Sequence, residues 1–476
     1  MRVLCLIFTF LALCQSTHQR KNVLLIIVDD LRPELGVYQD ESNQFFKDIH
    51  TPNMDQLASR SFVAKRAYVQ QAICSPSRAS FLTGRRPDTT KTYGVPENYR
   101  ELGGNFTSLP QYFKENGYIT AGFGKVFHHA AKSRDIDEPS WTEPFFKPPF
   151  KGNWATKQSW SLATKERREK EPLADESSAS AAIDTLNRLA PGAKNGSQPF
   201  MMVLGFEKPH LSLTFPEEIL DLYPEEKIQL PSNPYAPRGI PRYAWSKWHE
   251  LRGYEDIKEF GCSGNMNDTL PDDMVGRVLE ALDEEGLAED TIIALIGDHG
   301  YMLGEHGAWV KHSNFDLATR APFMISIPGV TEDMVLSEEM VEFVDLFPTL
   351  IEAVGLDNAV VMPVLTNETS IQWKDRAFSQ YPRTLGNIKR GIMGYSMVTK
   401  THRYSEWNGF DPSTITPNWD ANYGIELYDL QNDPEENVNV WDDPEYAEVI
   451  IEMSLKLRDG WRAALPSKNL DDRNTW

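Results

Sequence analysis

The sequence predicts an open α/β fold, a mostly parallel sheet with helices on both faces. Three observations carry this. Continuous apolar runs of strand length recur along the chain, segments of helical period alternate with them, and clusters of charged residues follow the apolar runs directly. A strand that is apolar on both faces needs cover on both, and helix layers supply it. In such sheets ligands bind beyond the carboxyl ends of the strands.

The first run, Asn22 to Val28, ends in Asp29-Asp30 and reads as a buried strand with carboxylates at its C-terminal end. Tyr118 to Phe123 leads into Gly124-Lys125-Val126-Phe127-His128, and Phe200 to Leu204 leads to Glu207-Lys208-Pro209-His210. Thr291 to Ile296 ends in Gly297-Asp298-His299-Gly300, and Pro322 to Ile327 is a further strand. Between them, Pro52 to Arg60, Leu109 to Asn116 with Gly117 as its cap, and Met274 to Glu285 closed by Gly286 read as helices. The stretches Ser133 to Ser180 and Leu230 to Trp248 show little periodicity and read as long surface excursions beside the strand ends. After about Trp373 the character changes. Short β-like runs at Ile392–Val398, Tyr404–Trp407 and Glu426–Leu430 precede one closing helix, Pro444 to Ala463. No internal repeat is present.

The 476 residues are 41% hydrophobic, enough for a large core, and carry a formal net charge of −21. That charge excludes a nucleic-acid binder, which needs basic surface. An anionic substrate would need a local basic pocket, and an acidic compartment would relieve the opposing field by protonating carboxylates. Arg2 precedes an apolar run, Val3 to Cys14, that is too short to span a bilayer. With a cleavage site after Ser16, residues 1–16 read as a secretory signal peptide. No other segment approaches transmembrane length, so the mature chain is expected to be luminal or extracellular, without stable membrane insertion. Sequons at Asn105, Asn195, Asn267 and Asn367 agree with that route. Of four cysteines, Cys5 and Cys14 fall in the leader and Cys74 and Cys262 remain, which excludes a disulfide scaffold. A Cys74–Cys262 disulfide is the structural alternative to any chemistry at Cys74.

The densest motif is Cys74-Ser75-Pro76-Ser77-Arg78, followed by Ala79-Ser80-Phe81-Leu82-Thr83-Gly84-Arg85-Arg86. Ser75 and Pro76 read as the N-cap and first residue of a helix. The side chain at 74 would then sit where unpaired N–H groups and the helix dipole favour an anion. The bland reading is a structural cysteine ahead of a capped helix.

This pattern, Cys-x-Pro-Ser-Arg with Thr-Gly-Arg beyond it, resembles the signature of type I sulfatases. The likeness spans nearly the whole mature chain. It is strongest to the iduronate-2-sulfatase branch, through Val23–Arg32, Pro76–Thr90, Pro110–Tyr118, Gly124–His128, Asp298–Asp316, Ser379–Arg383 and Ile392–Ser396. The resemblance implies an alkaline-phosphatase-like sandwich: a catalytic domain over 17–372 with a large mixed, mostly parallel sheet, and a small antiparallel subdomain over 373–476. It implies that a formylglycine-generating enzyme oxidises Cys74 to an aldehyde, whose hydrate attacks the sulfur of a sulfate ester. It further implies removal of sulfate from glycosaminoglycan sugars, the 2-O-sulfate of iduronate in heparan and dermatan sulfate, in the lysosome or after secretion.

Residue by residue, the resemblance makes Asp29, Asp30, Asp298, His299 and the oxidised Cys74 the metal ligands. Hard oxygens suit Ca²⁺ or Mg²⁺, while the His299 nitrogen also admits Zn²⁺. Arg78, one helical turn from Cys74, would bridge an oxyanion and the aldehyde hydrate; Lys125 and Lys311 are the other sulfate cations. His210 would protonate the leaving oxygen and His128 would assist breakdown of the sulfated hydrate. His306 and Trp309 are placed to contact the sugar or to pack a loop. One departure from the branch is Gly261 to Asn267, where a Tyr- and Ala-rich helix is expected. The alternatives are a sulfatase of another sulfated glycan, a silent glycan-binding relative, and a zinc phosphohydrolase, which would want Ser or Thr at position 74.

Overall fold

Strand β1, Asn22–Val28, is buried at all seven positions and lies inside a seven-stranded sheet. The computed structural model describes residues 20–39, 49–95, 97–128, 136–148, 157–223, 231–245, 250–259, 272–356, 365, 373–383 and 391–465. The signal peptide, Cys262 and the 261–267 departure, and the sequons at Asn267 and Asn367 lie outside them. The sequons at Asn105 and Asn195 are exposed. Among the described residues no helix is long and apolar enough to cross a membrane.

The other strands are β2 (Phe62–Tyr68), β3 (Ile119–Gly124), β4 (Trp160–Ala163), β5 (Phe200–Phe206), β6 (Leu213–Pro216), β7 (Thr291–Gly297), β8 (Met302–Leu303), β9 (Trp309–Val310), β10 (Phe323–Ser326) and β11 (Val335–Glu342). The large sheet has the order β11-β2-β10-β7-β1-β5-β3. β3, β5, β1 and β7 run parallel, β11 is parallel to β2, and β10 is antiparallel to both of its neighbours. The expected mixed, mostly parallel sheet is therefore present.

Alternation along β1 sorts the core into two layers. Val23, Leu25 and Ile27 meet Phe81, Leu82 and Phe113 on one face; Leu24, Ile26 and Val28 meet Leu57, Ala182, Leu186 and Val278 on the other. Helices cover both faces. Those expected near 52–60, 109–116 and 274–285 are Pro52–Ala58, Leu109–Glu115 and Asp272–Glu284.

Two readings are corrected. The stretch Ser133 to Ser180 is not wholly irregular: β4 pairs with β6, and the 21-residue helix Ala174–Lys194 begins inside it. The buried face of that helix is mostly small, with Ala179, Ala182, Leu186, Ala190 and Ala193 at helical spacing, so alanines conceal the apolar period. The closing helix is also shorter than expected. It spans Ala447–Asp459 and stops at Gly460, whose φ of 76° leaves the right-handed region.

A separate antiparallel sheet, β12 (Arg376–Arg383), β13 (Gly391–Thr399), β14 (His402–Asp411) and β15 (Thr416–Asp429), forms the C-terminal unit, with helix Ala447–Asp459 packed on it. It is tied to the large sheet's loops by buried charge. Arg403 pairs with Glu436 and with Asp316, and Arg383 donates to the carbonyls of Tyr243, Ala244 and His312.

Candidate active site

The parallel strands end at one edge and deliver their charged residues together. β1 ends in Asp29 and Asp30, β7 is followed by Asp298 and His299, β3 by Lys125 and His128, and β5 by the loop to His210. Lys311 follows β9, and helix Cys74–Thr83 points its first residue into the cluster. Asp30 has φ 60°, a left-handed conformation that Asp tolerates better than most residues. Its N–H donates to Asp298 Oδ1 at 3.0 Å, which locks the β1 turn to the end of β7.

The helix begins two residues earlier than the sequence suggests. Ile73 is the N-cap and Cys74 the first helical residue, while Ser75 Oγ donates to the Glu97 carbonyl rather than capping. The inference about position 74 survives the shift, because a first-turn residue still lies among unpaired N–H groups.

Cys74 is a free, buried thiol. Its Sγ lies 3.3 Å from Lys311 Nζ, 3.4 Å from His299 Nε2 and 3.8 Å from Lys125 Nζ. Lys311 Nζ also donates to Asp30 Oδ1 at 2.6 Å, and Lys125 Nζ pairs with Asp29. Burial, and then the charge of Asp29, push the Cys74 thiol well above its usual range despite the two lysines. An unmodified Cys74 is therefore a neutral thiol and a weak nucleophile. Burial would also raise Asp29, but Lys125, His210 and Arg78 together hold its carboxyl well below the usual range.

Arg78 sits as the sequence places it, one turn along the helix, but its donors are committed differently. Nε donates to Asp298 Oδ2 at 2.9 Å, Nη2 to Asp29 Oδ1 at 3.1 Å, and Nη1 to the carbonyls of Lys125 and Val126. It joins the ends of β1, β3 and β7. Four protein acceptors leave it little capacity to bridge a bound oxyanion.

Asp29, Asp30, Cys74 and His299 offer ligand atoms that all lie within 4.8 Å of one another. The tautomer of His299 tests whether a cation fits. Nδ1 faces the Gly300 carbonyl at 2.9 Å, so it must be the donor, and Nε2 is left as an acceptor. That acceptor faces Asp30 Oδ1 at 3.5 Å and Asp298 Oδ1 at 3.4 Å, which are acceptors too. Burial and Lys311 hold His299 neutral, down to about 3. With a thiol at position 74 the S–H supplies a donor 3.4 Å away; with an oxygen acceptor there instead, an acceptor facing two carboxylates is the arrangement a divalent cation resolves. Asp298 also receives Asp30 N and Arg78 Nε, so it borders this group from the β7 side.

His210 donates from Nδ1 to the Leu211 carbonyl at 2.6 Å, which leaves Nε2 free for exchange. Burial, then Lys125 and Lys311, push it down to about 4. His128 is pushed to about 3 by burial and Lys125, and among the described residues its Nδ1 has no hydrogen-bond partner. Lys125 and Asp29 act on both rings, so the two histidines face one cluster.

The sulfatase family model matches residues 21–356, well over half of the chain. The chain belongs to the sulfatase family. A second model, N-sulphoglucosamine sulphohydrolase, C-terminal, matches residues 304–462 of this sulfatase. Iduronate 2-sulfatase of Mus musculus is 35% identical, over 93% of this chain and 94% of its own. Iduronate 2-sulfatase of Homo sapiens is also 35% identical, over 90% and 92%. A solved 2-O GAG sulfatase superposes with a TM-score of 0.65 at 21% identity, covering 92% of this chain and 91% of that one.

The structure adds residues to the sulfatase's site that the sequence did not single out. Glu250 Oε1 lies 3.5 Å from His312 Nε2 and 4.0 Å from Lys311 Nζ. Arg32 pairs with Glu34 and Glu305, tying the Asp29-Asp30 turn to the Gly304–Gly307 loop. Asp175 and Lys208 hold the His210 loop. The contacts of Glu250 with Lys311 and His312, of Arg32 with Glu305 and of Asp175 with Glu207 and Lys208 join segments far apart in sequence, so no local pattern announces them. His306 resolves as a packed residue: buried, its ring is stacked on Phe315 at 4.4 Å. Trp309 instead lines an apolar crevice beside Asp30, with Pro209, Leu211, Leu251, Tyr301 and Leu303.

Proposed function

We propose that this sulfatase removes the 2-O-sulfate of iduronate from fragments of heparan and dermatan sulfate. Similarity to two iduronate 2-sulfatases over at least 90% of the chain supports the substrate. The observation that carries the chemistry is the position of Cys74 Sγ, in contact with Lys125, Lys311 and His299 at a helix start.

A formylglycine made from Cys74 by its generating enzyme would supply the nucleophile as an aldehyde hydrate. Asp29, Asp30, Asp298, His299 and the oxygen at position 74 would hold one divalent cation, Ca²⁺ or else Mg²⁺, which would supply Lewis acidity. Lys125 and Lys311 neutralise the sulfate oxygens from two sides. Arg78 acts by fixing Asp29 and Asp298 rather than by binding sulfate. His210 Nε2 delivers a proton to the departing sugar oxygen, and His128 takes one during release of sulfate. Both rings are depressed mainly by burial and by Lys125, so a bound sulfate that offsets the lysine charge raises them toward working pH. In this reading residues 1–16 direct the chain into the secretory pathway, 17–372 form the catalytic domain and 373–476 a supporting subdomain, and the enzyme is lysosomal or secreted.

The test is the mass of the tryptic peptide Ala67–Arg78 from protein secreted by a eukaryotic host, followed by turnover of a 2-O-sulfated iduronate disaccharide. A formylglycine mass with release of 2-O-sulfate supports the proposal. Unmodified Cys74 in a host that processes other sulfatases would overturn the mechanism. Formylglycine with turnover only of 6-O- or N-sulfated sugars would overturn the substrate alone.

A further inference from the structure

We infer that Asp175 and Lys208 form a clamp that sets the position of His210, and so act as positioning residues for protonation of the leaving group. The inference rests on the role given to His210 above.

Asp175 is the second residue of helix Ala174–Lys194 and is buried. A carboxylate in that place ordinarily serves its own helix. Here that task belongs to Glu176, which accepts the N–H of Leu173 at 2.8 Å. Asp175 instead spends both oxygens on another element. Oδ1 accepts the N–H of Glu207 at 2.8 Å and Oδ2 the N–H of Lys208 at 3.0 Å, at the point where the chain leaves β5. Lys208 then reaches forward along its own loop. Its Nζ donates to the carbonyls of His210 and Ser212, both at 2.7 Å. The segment from Glu207 to Ser212 is thereby pinned at its start by a carboxylate and at its far end by an ammonium. His210 lies between the pins, with its N–H on the Glu207 carbonyl at 2.9 Å and its ring on the Leu211 carbonyl.

The clamp fixes which nitrogen faces the reaction. Nδ1–H is committed to Leu211, so Nε2 carries a transferable proton only when the ring is doubly protonated. As the S–O bond breaks, that proton passes from Nε2 to the sugar oxygen and the ring is left neutral. Rotation or displacement of the loop by an ångström would remove Nε2 from reach of the oxygen, and a misplacement of that size costs about 10²-fold in rate.

A leaving group that needs no proton should not feel the clamp. Asp175→Asn keeps one acceptor oxygen but turns an N–H against a backbone N–H. Lys208→Met removes both ammonium bonds and leaves the carboxylate. Formylglycine-bearing wild type, Asp175→Asn, Lys208→Met and His210→Ala would be compared on a 2-O-sulfated disaccharide and on 4-methylumbelliferyl sulfate, whose phenol leaves unprotonated. The expected result is a fall of at least tenfold in kcat on the sugar sulfate for both clamp variants, with KM changed less than threefold. The ratio of sugar to aryl turnover should fall in the same sense as for His210→Ala. If His210→Ala shifts that ratio and neither clamp variant does, the clamp is structural and the inference is overturned while the proposed mechanism stands. If His210→Ala leaves the ratio unchanged, the acid role of His210 fails and the inference falls with it. Should Asp175→Asn not fold, Lys208→Met decides alone.

Discussion

Lys311 Nζ lies 3.3 Å from Cys74 Sγ while it donates to Asp30 Oδ1 at 2.6 Å. One ammonium thus touches both the residue proposed as the formylglycine precursor and a candidate cation ligand. The Asp30 carboxylate, first of all, outweighs the cost of its burial and holds it charged. A fixed positive group at this point opposes the charge that builds on a sulfate oxygen during attack. Lys311→Ala should lower kcat by about 10²–10³-fold. Lys311→Arg should not rescue it, because a planar fork cannot replace a point charge in a pocket of this size. Steady-state kinetics on the two variants check this, and activity within tenfold of wild type in Lys311→Ala would remove Lys311 from the chemistry.

Cys74→Ser separates the modification from the thiol. A serine hydroxyl supplies one oxygen where an aldehyde hydrate supplies two, so a sulfate taken up by serine has no internal route of release. The expected outcome is loss of multiple turnover together with retention of sulfate at residue 74, read by intact mass after exposure to substrate. Cys74→Ala should show neither. Sustained turnover by Cys74→Ser would exclude the hydrate mechanism.

The strand ends were legible in the sequence because each is a continuous apolar run closed by charge. Asp29, Lys125, His210 and Asp298 are all delivered that way. The strands β2 and β11 were not legible. β2 carries Lys65 and Arg66 in its middle and β11 is half exposed, so neither shows an unbroken apolar run. The site itself was readable as a set of residues but not as a geometry. No local pattern says that Arg78 spends its donors on Asp29, Asp298 and two carbonyls, because those partners come from three different strands. The same holds for the contact of Asp175 with Glu207 and Lys208, which joins a helix start to a strand end 32 residues away.

Removal of the proposed cation should cost both stability and activity. Asp29 and Asp30 are held ionised by nearby cations although the charge of Asp29 acts against that of Asp30, and a divalent ion held by these residues would relieve that repulsion. A ligand that binds only the folded state stabilises it by about 2.7 kcal/mol when present at 100 times its Kd. Dialysis against a chelator should therefore lower the thermal midpoint and abolish turnover, with Ca²⁺ or Mg²⁺ restoring both. Asp30→Asn should weaken that restoration. An unchanged midpoint and full activity after chelation would rule the cation out.

A buried histidine should make the fold lose stability on acidification. Burial holds His306 neutral down to about 4. Unfolded, it titrates near 6.5. As pH falls through 6.5 the unfolded chain takes up a proton there that the folded chain refuses, so this residue moves the equilibrium toward unfolding by about 1.4 kcal/mol per pH unit. The thermal midpoint should therefore fall less steeply between pH 6.5 and 4.5 in His306→Gln than in wild type. Parallel profiles of the two proteins would contradict the neutral state of the buried ring.

Gly205 tests how closely the strands must meet to place Lys125. It sits in β5 opposite Gly124 of β3, and Lys125 N donates to its carbonyl at 2.9 Å. A Cβ at Gly205 would fall 1.8 Å from the Lys125 carbonyl oxygen, a backbone atom that also receives Arg78 Nη1. No rotamer relieves that clash, so the end of β3 must move away from β5 by an ångström or more. Both the Lys125–Asp29 pair and the Arg78 anchor depend on that edge. Gly205→Ala should lower kcat by at least about 10²-fold. Gly253→Ala, where an added Cβ meets nothing within 4 Å, should leave kcat unchanged. Comparable activity of the two variants, measured on protein with equal formylglycine content, would show that Lys125 tolerates displacement and does not need this register to act.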